Sequence, residues 1–346
     1  MNGISDYRRL LLQRHQQPLA DATVMLGGGG ARGLAHLGAL RALGHSGIGV
    51  QRLVGVSMGA LMAAMCAAER DVERVEMLAR DFLESDRYRS LQQRVMGKAA
   101  GAPRSGSDDT SWTRRFRDLL WTTKAFGRAV ASESLIPSTI LEGIVDALLP
   151  DIDIEDLRKP LFLIAVDLQS GERVVLSRGS LRRAVVASMS IPGVFPAVEI
   201  DGRRLSDVGV YDAVPCDVAR ELMRLDRPEE AVASDASELG ELIVVDVSLT
   251  KSDAVVCETA LQSMLRVQEL AEIRIRERQL ELADVVVRPD VGEVPWYDFT
   301  QPEPLINAGY DAVKRALREK ETGSMNPANP TSIAGSFVHS NPAPQP

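Results

Sequence analysis

The pentapeptide Gly55-Val56-Ser57-Met58-Gly59 has the form G-x-S-x-G. In that form a strand turns sharply into a helix and leaves the serine hydroxyl projecting. Its chemistry would be nucleophilic attack on an acyl carbonyl. Gly55 and Gly59 leave room for the close approach of strand and helix. Upstream, GGGGARG sets Gly28, Gly30 and Gly33 in a G-x-G-x-x-G spacing. Glycines there let backbone N–H groups face an anion at a helix N-terminus. The anion is either a pyrophosphate or a transient oxyanion. A dinucleotide site, as in an oxidoreductase, expects an acidic residue about 20 positions on. The stretch IGVQRLVGVS has none. A Walker loop needs Gly-Lys-Ser/Thr after the glycines, and Ala31-Arg32-Gly33 is not that. Both phosphate readings lose ground.

A serine nucleophile needs a base, and with this elbow a histidine ordinarily follows the acid late in the chain. The four histidines are His15, His36, His45 and His339. The first three precede Ser57, and His339 sits in a terminal stretch rich in Asn, Pro, Ser and Ala. A Ser-His-Asp triad is not expected. His36 reads as a helix-face residue and is the main rival to a carboxylate base.

The elements that must position these residues alternate. A strand at Ala22–Leu26 runs into the glycine loop, a helix covers 33–43, and a second strand near Gly49–Val56 ends at the serine. Ala60, Leu61, Ala63, Ala64 and Ala67 then give a helix with a small, buried face. Such alternation predicts a parallel sheet with right-handed crossovers. Further strands are expected at 161–167, 173–176, 241–247 and 284–288, and helices near 137–149, 254–281 and 304–319. LFLIAVD and ELIVVDV are short, nearly continuous apolar runs that suit central strands. Loops are expected at 97–110 and 226–240. Residues 1–21 read as a polar extension, 22–322 as one catalytic domain, and 323–346 as a disordered tail.

Four ordered motifs give a resemblance. They are Gly28-Gly29-Gly30-Ala31-Arg32-Gly33, Gly55–Gly59, the segment Ser188-Met189-Ser190-Ile191-Pro192-Gly193-Val194-Phe195-Pro196, and Asp207-Val208-Gly209 followed by Val214-Pro215. In this order the chain resembles bacterial patatin-like phospholipases, from about residue 22 to about 320. The resemblance implies an α/β protein with a three-layer α/β/α fold and a mostly parallel central sheet. It implies a Ser–Asp dyad of Ser57 and Asp207, with no metal and no cofactor. Gly28, Gly29, Gly30, Arg32 and the N–H of Met58 would form the oxyanion hole. Gly33, Gly55, Gly59 and Gly209 would support the motifs. The substrate would be a lipid or other acyl ester. Where the family carries glycine after the aspartate, this chain has Val208, and a β-branched residue strongly disfavours positive φ. A catalytically weakened regulatory or binding module is therefore the alternative.

The bulk numbers agree with a globular chain. It has 346 residues, 45% hydrophobic and 25% charged, with a net charge of −8. That balance offers no basic footprint for nucleic acid. Cys66, Cys216 and Cys257 are an odd, widely spaced set, read as reduced thiols in a cytoplasmic protein. No apolar run has the ~18 residues needed to span a bilayer. Residues 87–128 nevertheless hold ten Lys or Arg against three Asp or Glu. Within 112–130, Trp112, Phe116, Leu119, Leu120 and Trp121 lie among arginines. That pattern predicts peripheral membrane contact or a lid.

Overall fold

Every position of β1 (Ala22–Leu26) is buried, as the unbroken apolar run ATVML requires of a strand covered on both faces. The computed structural model describes residues 22–69, 71–99, 133–225, 240–248 and 256–322. β1 pairs in parallel with β2 (Val50–Val56) and with β7 (Glu241–Val245). β2 pairs in parallel with β3 (Leu161–Asp167), and β7 with β8 (Val285–Val287). β3 takes two antiparallel partners, β4 (Arg173–Leu176) and β6 (Arg203–Ser206). β5 (Val198–Ile200) closes the edge against β6. The order is β5-β6-β3-β2-β1-β7-β8, with β4 on β3, in one eight-stranded and mostly parallel sheet.

The helices, numbered among the described residues, are α1 (Ala35–His45), α2 (Met58–Ala68), α3 (Val72–Glu84), α4 (Asp86–Ala99) and α5 (Ser138–Leu148). They continue with α6 (Leu181–Met189), α7 (Cys216–Leu225), α8 (Ala260–Leu280) and α9 (Pro302–Glu321). Strand side chains alternate between two cores, as the pleat dictates. Val24, Leu26, Leu53 and Leu163 face a core with α1, α2, α6 and α9. Met25, Val54, Phe162 and Ile164 face the other, with Cys216, Ala219, Leu222 and Met223 of α7. The architecture is the three-layer α/β/α arrangement expected.

Several elements depart from the sequence reading. Residues 97–99 close α4 rather than open a loop. Helices α3, α4, α6 and α7 and the β5–β6 hairpin are absent from the sequence reading. The hairpin did carry a signal: Asp201-Gly202 turns with φ 51° and 75°, the Asp-Gly preference of a tight hairpin. The expected extensions 1–21 and 323–346 and the contact segment 112–130 lie outside the described residues. Among the described residues, no helix is long and apolar enough to cross a membrane.

α1 and α9 cross at two glycines. A Cβ on Gly38 would lie 1.7 Å from the Ile306 carbonyl oxygen, and one on Gly309 would lie 1.8 Å from that of Ala35. Both obstacles are backbone, so neither can swing aside. This pairing also seats the helix that follows the glycine loop. Gly309→Ala is expected to lower stability by about 3 kcal/mol, the upper part of the usual overpacking range. A urea titration checks it; a midpoint equal to wild type would reject the crossing.

Candidate active site

Ser57 sits between β2 and α2 with φ 54° and ψ −123°. It is one of two non-glycine described residues with positive φ, a conformation that costs of order 1–3 kcal/mol and persists only where its surroundings impose it. Those surroundings are visible. A Cβ on Gly59 would lie 2.1 Å from the Leu26 carbonyl oxygen, so α2 starts hard against the end of β1. A Cβ on Gly55 would lie 2.6 Å from the Cα of Ala60. The Ser57 N–H donates to Ser188 Oγ at 3.0 Å, and the Ser188 hydroxyl donates to the Ile164 carbonyl at 2.7 Å. α6 thereby fixes the elbow to β3.

Asp207 follows β6 and caps a short 3-10 turn, Val208–Val210. Its N–H donates to the Ser190 carbonyl at 2.9 Å, and its Oδ1 accepts from the Gly209 N–H at 2.8 Å. Ser57 lines the same cavity as Asp207, close enough for its hydroxyl to hold the Asp207 pKa down. Ser188 and Ser190 thus hold the serine and the aspartate from one segment. Burial raises the Asp207 pKa to about 6, against the Ser57 hydroxyl and the Gly209 N–H, which pull it down. Val208 has no positive φ and is fully buried beside Val54, Val56 and Phe162. The expected strain at this position is absent, because the turn needs only an ordinary backbone there and the core takes up the side chain.

The glycine loop lies beside Ser57 because β1 is the neighbour of β2. Gly28 departs from expectation: its N–H is committed to the Ala213 carbonyl at 3.0 Å and is not available to an oxyanion. Gly29 and Gly30 line the cavity with Ser57 and Asp207. Their N–H groups have no protein acceptor among the described residues. Gly30 has φ 59°, and a Cβ there would lie 2.3 Å from the Trp296 carbonyl oxygen. That same oxygen accepts the Ala31 N–H at 2.6 Å, which turns this donor away from the cavity. Arg32 is buried, lines the cavity, and donates from Nε to the Gly29 carbonyl at 3.2 Å. Met58 opens α2 with a first-turn N–H that has no intrahelical acceptor, and its side chain packs on Gly33.

His36 is fully buried, not on an exposed helix face. Its Nε2 bonds the Gly27 carbonyl at 2.8 Å. Burial lowers its pKa to about 4, outweighing that bond and the nearby Asp246 carboxylate. It is a neutral prop under the glycine loop. His45 bonds Tyr310 on the surface.

The far wall of the cavity escaped the sequence reading. Glu269, Glu272, Ile273 and Arg276 of α8 line a cavity of about 110 Å³ with Ser57 and Asp207, and Trp296 and Ser248 line it too. Arg276 pairs with Asp246 at 2.9 Å and with Glu272 at 3.0 Å. Burial raises Glu272 to about 7, with Arg276 opposing. Asp246 is also desolvated, but Arg276 and the Ser248 N–H more than offset this and leave it below the usual range. No glycine or serine motif marks these residues. Glu272 and Arg276 are one helical turn apart, and the fold brings Asp246 to them. Among the described residues, no cluster of three His, Cys, Asp or Glu could hold a metal ion.

The family model for patatin-like phospholipase matches residues 24–220. An uncharacterized NTE family protein of Mycobacterium tuberculosis is 26% identical over 304 residues, covering 85% of this chain and 46% of that protein. Patatin-like phospholipase domain-containing protein 7 of Rattus norvegicus is 28% identical over 303 residues, covering 83% and 20%. This chain spans about half the length of the first relative and about a fifth of the second. The crystal structure of VipD from Legionella pneumophila aligns with a TM-score of 0.44 and 18% identity, over 88% of this chain and 68% of that one.

Burying Asp207 has a cost that depends on pH. Its folded pKa is raised above the ordinary 3.8, so the folded state holds the proton more tightly. Its contribution to stability is present below about pH 4 and lost as pH rises through about 6. Asp207→Asn removes that loss. The variant is expected to be more stable than wild type at pH 8, by on the order of 2–3 kcal/mol. The gap should close toward pH 4. Thermal melts across pH check it, and a variant less stable at pH 8 would contradict the buried-carboxylate account.

Proposed function

The chain belongs to the patatin-like phospholipase family, and from that premise we propose that it is a serine acyl hydrolase cleaving lipid acyl esters, with Ser57 as nucleophile and Asp207 as base. The observation that carries the reading is the strained Ser57 turn, which shares one cavity with the buried Asp207 carboxylate. An ordinary aspartate is a weak base at neutral pH. One raised toward 6 is still ionised at pH 7 and holds a proton better once it has it.

In the proposed reaction Asp207 takes the Ser57 proton as Oγ attacks the acyl carbonyl. The N–H groups of Gly29 and Gly30, with that of Met58, stabilise the oxyanion. Losing one such donor typically costs about 10²–10³ in rate. The alcohol leaves with a proton from Asp207, and an acyl-serine remains. Water then attacks with Asp207 again as base. Arg32 holds the Gly29 carbonyl back and places a cation beneath the loop. Residues 22–322 act as one catalytic domain in this reading, in a protein that meets lipid as a peripheral visitor from the cytoplasm. The weakened-module alternative loses its motive, because Val208 imposes no backbone strain.

Hydrolysis of a p-nitrophenyl ester series tests the reading. Ser57→Ala and Asp207→Asn are each expected to lower kcat/KM by at least about 10³-fold. Wild-type kcat/KM should fall as pH drops below about 6, as Asp207 is protonated. Full activity in Asp207→Asn would assign the base elsewhere. Inactivity of a folded wild type across the series would restore the module reading.

A further inference from the structure

The segment between β6 and α7 serves two parts of the site at once. It begins with Asp207, and its Ala213 carbonyl accepts the Gly28 N–H at 3.0 Å. Between these, the Tyr211 and Asp212 N–H groups both donate to the Val208 carbonyl at 3.0 Å and close the turn that Asp207 caps. Asp207, Gly209, Val210 and Ala213 line the cavity, and Asp212 does not. The buried Asp212 side chain meets Arg173 of β4 instead. Arg173 donates from Nη1 to Asp212 Oδ2 at 2.8 Å and to Asp217 Oδ1, in the first turn of α7, at 2.7 Å. Asp212 Oδ1 is buried without a hydrogen-bond partner among the described residues. Arg173 is thus the one side chain among them that holds the Asp212 carboxylate. Sheet register puts it there. Val166 of β3 pairs with Arg173 along one edge and with Ser206 along the other, so Arg173 is level with the residue before Asp207. Burial raises the Asp212 pKa to about 6, with Arg173 opposing.

We propose that Arg173 is a positioning residue for the acyl transfer: through Asp212 it sets the segment that presents Asp207 and anchors the glycine loop. Arg173 lies outside the cavity wall, so its effect is geometric. Asp207 at one end of the segment is the base, and Ala213 at the other holds Gly28, next to the oxyanion donors Gly29 and Gly30. A tether in the middle fixes both ends together. A misplacement of about 1 Å at the reacting groups costs up to about 10²-fold in rate. The surface that binds the ester is untouched, so the loss falls on kcat and not on KM. This role rests on the hydrolase reading.

The test compares four full-length proteins on p-nitrophenyl esters: wild type, Arg173→Met, Arg173→Met with Asp212→Asn, and Arg224→Gln. All are assayed well below the lowest thermal midpoint, where each chain is folded. Arg173→Met strands a buried carboxylate. Its midpoint should fall, and its kcat should drop about 10- to 100-fold with KM within about twofold. Adding Asp212→Asn removes the stranded charge and should bring the midpoint back toward wild type. Its kcat should stay at least about tenfold down, because the tether is still missing. Arg224 lines the same outer groove as Arg173 and pairs on the surface with Glu221, so Arg224→Gln should keep kcat within about twofold. Recovery of kcat in the double variant would reduce Arg173 to a structural role and overturn the proposal. So would full kcat in Arg173→Met, a loss confined to KM, or an equal loss in Arg224→Gln. Any of these in an active wild type sinks the positioning role alone. A folded wild type inactive on every ester sinks the hydrolase reading and this role with it.

Discussion

A serine with positive φ does not hold itself. The turn at Ser57 survives because three separate elements leave its backbone no alternative. β1 ends where Gly59 must pass, α2 begins on that contact, and Ser188 takes the serine N–H from the side. Most other features of the site follow from this one constraint. β1 lies beside β2, so the glycine loop comes out next to the hydroxyl. α6 has to reach β3 to hold the elbow, so the segment that leaves α6 is at hand for Asp207. The Ser190 carbonyl then takes the Asp207 N–H.

The same dry interior acts on acids and bases in opposite senses. Burial raises Asp207 and lowers His36, because in each case the charged form is the one penalised. The carboxylate becomes a better proton acceptor, while the imidazole becomes a neutral donor to the Gly27 carbonyl. Among the described residues, the one buried histidine thereby has a supporting place. Across the cavity, Asp246 and Glu272 share the Arg276 guanidinium, and their pKa values move apart. That pair of carboxylates gives the wall opposite Ser57 a polar character, which the apolar Ile191 and Ile273 interrupt.

Local pattern determined a good deal. The continuous apolar runs of β1, β3 and β7 mark central strands, since no other position buries both faces. G-x-S-x-G marks a strand-to-helix turn, because small residues on both sides of a serine have little use elsewhere. The order of the four motifs was enough for the family and hence for the layers of the fold. Short elements were less legible. β5 has too few residues for a period to stand out, and α4 absorbed three residues of a glycine- and alanine-rich stretch that read as loop.

Tertiary structure decided what depends on distance. Val208 looked like a strained substitution, and only its backbone angle and its place in the core made it harmless. Gly28 looked like an oxyanion donor until the Ala213 carbonyl was found to occupy its N–H. His36 read as a helix-face residue with a base as the rival; it lies on α1, and the fold showed that its face is buried. Trp296 and Asp246 bear no motif, because they join the site through long-range contacts to Ala31 and Arg276 that sequence spacing does not encode. A motif records the residues that must be neighbours along the chain. The wall facing the serine is one face of α8, and packing alone sets that face against Ser57 and Asp207.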